Sequence, residues 1–264
     1  MEEQLKLIAL GDVFGRPGRN LLFDYAAELK QEYQADFMIV NCENASGGSG
    51  LSEANAAELL SIDAVDVFTS GNHIWDKKDI NNTMQQTERL LRPANYPEPC
   101  PGHGYAIYRC RGIRIAVVNL SGTVYLNNLD NPFLSFDRIY DEIKTSSDVI
   151  CVDFHAEATS EKIAFGYYSD GRASVVFGTH THVQTADNRV LAEGCGYITD
   201  LGMTGPLDGV IGVDREIVIK RFKTQRHGKF EVAKGQTQIN GALFEIDETF
   251  RCRSVSRIYR TFEA

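Results

Sequence analysis

The stretch Val175-Val176-Phe177-Gly178-Thr179-His180-Thr181-His182 restricts the fold of this chain more than any other. A run of β-branched and aromatic residues suits a buried strand, and this one breaks at a glycine before two histidines spaced two apart. In extended backbone, residues i and i+2 point to one side, so His180 and His182 can face a single object, and a metal ion fits that place. The plainer alternative is one half-buried, hydrogen-bonded histidine beside a solvated one. The choice depends on whether other ligand-type residues arrive at the same point.

A chain of 264 residues can bury roughly three quarters of its unfolded surface, which is enough for a full core. Hydrophobic residues at 43% and charged residues at 24% exclude extensive disorder. The net charge of −9 argues against broad nonspecific nucleic-acid binding, although a small basic cleft is compatible with it. Nucleotides are therefore acceptable ligands, and stable duplex nucleic acid is not expected. The six cysteines show no CxxC spacing and several lie in apolar runs, so they read as reduced core residues. The polar start Met1-Glu2-Glu3-Gln4 gives no signal peptide, and no apolar run reaches the ~18 residues of a membrane span. A cytoplasmic protein without a membrane partner is expected, and a homo-oligomer is compatible with the sequence.

Leu5 to Leu10 reads as a first strand, ending at Gly11-Asp12. Pro17 suits the opening turn of a helix whose apolar face is Leu21, Leu22, Tyr25, Ala26 and Leu29. Phe37 to Val40 is a second strand ending at Asn41-Cys42-Glu43-Asn44. The glycine-rich Gly47-Gly48-Ser49-Gly50 then leads to a helix over Ser52 to Ser61 with Ser52 as N-cap. Val67 to Thr69 is a third strand, ending at Gly71-Asn72-His73. Tyr105 to Cys110 and Ile113 to Val118 form a hairpin about Arg111-Gly112. A helix from Pro132 to Thr145 precedes a strand from Val149 to Phe154 that ends at His155. Beyond Tyr197, the segments Ile217-Val218-Ile219, Phe230-Glu231-Val232 and Ala242 to Ile246 read as antiparallel strands of a second sheet. One α/β domain over residues 1–264 is expected.

Five strands thus end in ligand-type residues: Asp12, Glu43 with Asn44, Asn72 with His73, His155, and His180 with His182. Open α/β sheets bind ligands beyond the carboxyl ends of their strands, so these tips can meet. Singly, each has a local explanation in turn capping or left-handed backbone. The agreement of all five is what carries the inference. His103 and His227 lie in polar turn-like segments and are set aside as solvent-exposed. Three histidines, two carboxylates and two amides are too many for one tetrahedral ion. They suit two ions roughly 3.5 to 4 Å apart that share a carboxylate and bind a phosphate. Phosphoester hydrolysis by a metal-activated hydroxide is the chemistry such a pair performs.

Gly11-Asp12, Glu43-Asn44, Gly71-Asn72-His73, His155 and Gly178-Thr179-His180-Thr181-His182 resemble, in order and context, the motifs of the calcineurin-like metallophosphoesterases. Arg92-Pro93-Ala94-Asn95, the run Asp153 to Lys162 and the run Gly178 to Arg189 are similar to the YmdB-like branch. The resemblance implies a metallophosphoesterase-type two-sheet β-sandwich flanked by helices, four layers in the order α/β/β/α. It implies that Asp12, Glu43, Asn44 and His182 hold one metal, and that Glu43 as bridge, Asn72, His155 and His180 hold the other. His73 would assist the leaving group. The metals would be iron, with manganese as an alternative, and the substrates small phosphodiesters, especially 2′,3′-cyclic nucleotides. Phe14 stands where many relatives of the wider superfamily have a histidine, and Glu43 where they have an aspartate; both match the YmdB-like branch. The alternatives are a phosphomonoesterase, such as a nucleotidase or protein phosphatase, and a metal-dependent regulatory protein with vestigial activity. Glu157 or Asp153 could orient a histidine.

Overall fold

A computed structural model describes residues 5–263. In chain order the elements are β1 (Leu5–Leu10), β2 (Asp12–Val13), α1 (Gly15–Glu32), β3 (Phe37–Asn41), α2 (Glu53–Leu60), β4 (Val67–Thr69) and α3 (Ile80–Gln86). They continue with β5 (Tyr105–Cys110), β6 (Ile113–Ser121), α4 (Pro132–Ile143), β7 (Val149–His155), α5 (Thr159–Ser169) and β8 (Val175–Thr179). The last are β9 (Arg189–Val190), β10 (Gly196–Ile198), β11 (Met203–Pro206), α6 (Arg215–Thr224), β12 (Thr237–Ile246) and β13 (Cys252–Phe262).

Side-chain alternation along the strands produces the layers. Leu5, Leu7 and Ala9 of β1 enter a central cluster, whereas Ile8 and Leu10 point the opposite way into a cluster shared with α1, α2 and α3. The same division recurs on the other side. Ile115 and Val117 of β6 and Cys151 of β7 face the central cluster; Ala116, Val118, Ile150 and Val152 face α4 and α5. Each sheet is thus apolar on both faces, so each must be covered twice, and the α/β/β/α order implied by the family resemblance follows.

One sheet runs β2-β11-β12-β1-β3-β4, with β13 also paired to β12; the other runs β5-β6-β7-β8-β10-β9. Both are mixed. β1, β3 and β4 are mutually parallel, as are β6, β7 and β8. The expected hairpin is present, with Arg111 at φ 50° and Gly112 at φ 84°, the left-handed pair that a tight turn between twisted strands requires. Ser52 caps α2 by accepting from the Asn55 N–H, and Pro17 lies in the first turn of α1. Among the described residues no helix is long and apolar enough to cross a membrane. The six cysteines are unpaired; Cys42, Cys151, Cys195 and Cys252 are buried.

The last third departs from expectation. Ile217-Val218-Ile219 lies in helix α6, because the Asp214 side chain caps the N–H groups of Glu216 and Ile217 and only Val218 of the helix is buried. The β-branched triplet therefore never has two faces to cover. Phe230-Glu231-Val232 forms no strand beyond a single bridge from Val232 to Val213. The segment Ala242 to Ile246 is antiparallel as expected, but it belongs to the first sheet, between β1 and β13. Its Ala242, Phe244 and Ile246 face the central cluster while Leu243 faces the α1 side, which explains an apolar run without polar alternation.

Phe177 of β8 is fully buried between the sheets, with its ring centroid 6.3 Å from that of Phe244. Phe177→Ala is expected to cost about 3–5 kcal/mol of unfolding free energy. Urea denaturation checks this, and a loss under about 1 kcal/mol would contradict the packing described.

Candidate metal centre

The parallel strands of both sheets send their carboxyl ends to the same edge of the sandwich. From the first sheet come Asp12 in β2, Glu43 and Asn44 just past β3, and Asn72 and His73 past β4. The second sheet supplies His155 as the last residue of β7, and His180 and His182 past β8. All eight are brought to one place, with His180 and Asp12, 168 residues apart, in direct hydrogen-bond contact.

The atoms converge in two groups. Around His155 Nε2 lie Asn72 Oδ1 at 3.0 Å, His180 Nδ1 at 3.1 Å and Glu43 Oε1 at 3.2 Å. In the second group, His182 Nε2 is 3.3 Å from Asn44 Oδ1 and 4.0 Å from Asp12 Oδ1. One imidazole nitrogen carries at most one proton and can satisfy one acceptor, yet three electron-rich atoms close on His155 Nε2. Asp12 Oδ1 is buried without a hydrogen-bond partner. Glu43, His155 and His180 offer ligand atoms within 4.8 Å of one another. Such a donor set, with an orphaned carboxylate oxygen beside it, fits divalent cations bound by nitrogen and oxygen.

A second layer of contacts fixes these side chains. The Thr179 hydroxyl donates to Asp153 Oδ1 at 2.7 Å and lies 2.9 Å from His155 Nδ1. A hydroxyl whose proton is committed to a carboxylate must accept from Nδ1–H, so Nε2 is the nitrogen that faces the cluster and the one whose proton a cation would displace. Asp153 thus orients His155 through Thr179 rather than directly. Glu157 Oε2 stands 3.1 Å from His180 Nε2, so His180 presents Nδ1 inward. Asp12 Oδ2 accepts the His180 backbone N–H at 3.1 Å.

The expectation that His180 and His182 share one side of an extended strand is not met. β8 stops at Thr179, and His180 and His182 adopt φ of 101° and 65°. Left-handed backbone is costly for residues with a Cβ, and it persists where surrounding contacts over-determine it. Here Asp200 Oδ2 accepts from both the Thr181 N–H and its hydroxyl, and from Lys162 Nζ at 2.6 Å, while Lys162 also donates to the Thr179 carbonyl. The bend sends the two histidines into different halves of the cluster.

His73 sits at the mouth, partly exposed. Its backbone N–H donates to Glu43 Oε2 at 3.0 Å and its Nδ1 is 2.8 Å from Asp76 Oδ2. Ser49 of the glycine-rich loop also donates to Asp76. Gly71 lies so close to the cluster that a Cβ there would meet the His155 ring at 2.2 Å and Glu43 Oε2 at 2.5 Å. Asp76 and Asp200 were not singled out from the sequence, and Gly71, Thr179 and Lys162 stood there only within motif strings, with no role assigned. Asp76 could have been found from its spacing to His73. Buried Lys162 could not, since lysines are usually solvated.

Charges in the cluster pull against burial. Burial raises Asp12 to about 6 despite His182 and His155 nearby. Burial would also raise Glu43, but the charge and hydrogen bond of His155, with His73, hold it down at about 2. Burial alone would lower His155; Glu43, Asp12 and Asp153 instead carry it up to about 9. For His180, burial and the neighbouring His155 charge bring it down to about 3.

A model of the YmdB-like protein family matches residues 8–258. The chain belongs to the YmdB-like family. It is 48% identical over 255 residues to a Bacillus subtilis protein named 2′,3′-cyclic-nucleotide 2′-phosphodiesterase, covering 96% of each chain. A crystal structure of a Mycoplasma pneumoniae protein described as a novel phosphatase superposes with a TM-score of 0.92 at 38% identity, covering 100% of this chain and 95% of that one. A Thermus thermophilus protein described as hypothetical superposes with a TM-score of 0.91 at 35% identity, over 97% of this chain and 99% of that one.

Because His155 of the metal-free YmdB-like chain keeps its proton up to about pH 9, a cation must displace that proton below this value. Apparent Mn²⁺ affinity is expected to rise about tenfold per pH unit from about pH 7 to about pH 9 and then level off. Calorimetric titration of metal-free protein measures it; an affinity unchanged over that interval would contradict a charged His155 that the cation must deprotonate.

Proposed function

We propose that this chain is a dinuclear metal-dependent phosphodiesterase that hydrolyses small phosphodiesters, 2′,3′-cyclic nucleotides foremost. The observation that carries the reading is the convergence of ligand-type atoms in two groups, around His155 Nε2 and around His182 Nε2, beside a buried carboxylate oxygen without a hydrogen-bond partner. Asp12, Glu43, Asn44 and His182 would hold one ion, and Glu43, Asn72, His155 and His180 the other. When bound, such a pair neutralises phosphate charge and supplies an acidified water as nucleophile. The 48% identity to a relative named for this activity supports the substrate class. Iron or manganese suits the mixed nitrogen and oxygen donors. The family match over residues 8–258 and the shared central cluster support one catalytic domain.

The chain's own part in the reaction is proton management and alignment. As water adds to phosphorus and one ring P–O bond breaks, the departing ribose oxygen needs a proton. In this reading His73 gives it, supported by Nδ1 being engaged by Asp76 and Nε2 having no protein partner among the described residues. The Glu43 carboxylate, accepting the His73 N–H, couples the position of this imidazole to the cluster. Asp153, through Thr179, and Glu157 hold His155 and His180 in the orientations that the cluster needs.

Purified protein reconstituted with iron or manganese is expected to hydrolyse 2′,3′-cyclic AMP, and His73→Ala to retain metal while losing turnover by roughly 100-fold or more. Full turnover in a metallated His73→Ala protein would remove that role. No hydrolysis by metallated wild type, with release of phosphate from a monoester such as p-nitrophenyl phosphate, would replace the diesterase reading with a phosphomonoesterase.

A further inference from the structure

The chain is acidic overall, with a net charge of −9, yet one segment reverses that sign. Arg215, Lys220, Arg221, Lys223, Arg226 and Lys229 fall in a stretch whose single acid is Glu216. They occupy α6 and the turn after it, where Gln225 adopts a left-handed φ of 56° and folds the chain back. The Arg221 guanidinium then lies 5.0 Å from the Phe230 ring centroid. Lys220, Lys223, Arg226 and Lys229 are exposed, and among the described residues none of the four is in an ion pair with a carboxylate. Between them is a recess of about 340 Å³ to which Lys220, Arg221, Arg226, His227 and Lys229 all contribute. Phe222, 73% exposed, and Phe230, 46% exposed, stand among these cations.

The cationic surface is tied to the candidate metal centre. Residues 207–236 leave the first sheet after β11 and return before β12, closed at the base by the Leu207 N–H to Gln236 carbonyl bond of 2.8 Å. Near the start of this excursion the Ile211 carbonyl lies 3.0 Å from His182 Nδ1. Gly212 sits so tightly on Phe14 that a Cβ would meet its ring at 2.6 Å, and Phe14 packs edge-on against His182. The excursion that carries α6 is thus anchored, at its start, on His182 and on the Phe14 ring packed against it.

We propose that α6 and the turn after it hold a single-stranded RNA, and that the substrates of this site include strands whose 3′ end is a 2′,3′-cyclic phosphate. This rests on the phosphodiesterase reading above. Unpaired cations with exposed aromatic rings among them are what a flexible strand needs: phosphates meet the lysines and arginines, and bases stack on the rings. An anionic membrane is the competing polyanion, but a helix that lies on lipid needs a broad apolar face. In α6 Val218 is buried, which leaves Ile219 and Phe222 as its exposed large apolar side chains. The bond from the excursion to His182 further favours a ligand that is also a substrate.

The test uses metal-loaded, full-length protein, an octaribonucleotide ending in a 3′-phosphate for binding, and the same octamer ending in a 2′,3′-cyclic phosphate for turnover. Fluorescence anisotropy of the labelled 3′-phosphate octamer is expected to give a Kd of roughly 1 to 100 µM at about 50 mM salt. With about three phosphates neutralised, log K should fall against log salt with a slope of about −2. Lys220→Gln/Arg226→Gln/Lys229→Gln should weaken octamer binding about tenfold and raise the ratio of octamer KM to 2′,3′-cyclic AMP KM by a similar factor. The proposal is overturned if wild type hydrolyses 2′,3′-cyclic AMP but binds no octamer, or if octamer and mononucleotide KM agree within about twofold. It is overturned too if phosphatidylserine vesicles capture the protein while octamer anisotropy stays flat. Octamer binding that depends on the three cations in a protein inactive on both cyclic phosphates would support strand docking and reject the phosphodiesterase reading instead.

Discussion

Asp153 is the buried carboxylate on which the arrangement of both sheets at the site depends. It extends from β7 of the second sheet and accepts from Asn41 and Thr69, at the ends of β3 and β4 in the first sheet, and from Thr179 at the end of β8. A carboxylate with no solvent exposure is costly; burial raises its pKa, and the hydrogen bonds from Thr69, Thr179 and Asn41 oppose that rise. The polar tie spans two otherwise apolar surfaces directly beneath the strand tips. It sets how those tips face one another, and through Thr179 it fixes the His155 ring with Nδ1 away from the cluster. Fold and site share this one interaction.

Above that tie, the cluster is an arrangement of like groups that a protein without cations can only partly reconcile. Glu43 held down at about 2 and His155 carried up to about 9 are two sides of one compensation, an imidazolium serving as counter-charge in the middle of the donors. Asp12 Oδ1 is left over. The strained backbone at His180 and His182 belongs to the same account, since it is maintained by Asp200, which is itself neutralised by buried Lys162. A site whose ligands are locked this firmly gives up local stability for pre-organisation.

The α/β elements were legible because the strands are apolar runs and the turns carry specific residues, as at Leu5 to Leu10, Phe37 to Val40 and Arg111-Gly112, whereas the layered order came only with the family resemblance. The eight candidate site residues were legible because each follows an apolar run, and parallel strands deliver such residues to one edge. Periodicity misled at Ile217-Val218-Ile219, where the Asp214 cap decided in favour of a helix, and at Ala242 to Ile246, whose sheet is set by pairing with β1 rather than by composition. The turn at His180 was hidden as well, because a Thr-His-Thr-His string does not reveal that Asp200, distant in sequence, will hold it in left-handed backbone. Long-range partners such as Lys162 with Asp200 leave no local trace.

The most direct measurement is anomalous diffraction from crystals loaded with Mn²⁺. The account predicts two peaks per chain, one among Asp12, Glu43, Asn44 and His182 and one among Glu43, Asn72, His155 and His180. A single peak, or peaks away from Glu43, would contradict a dinuclear centre built on that carboxylate.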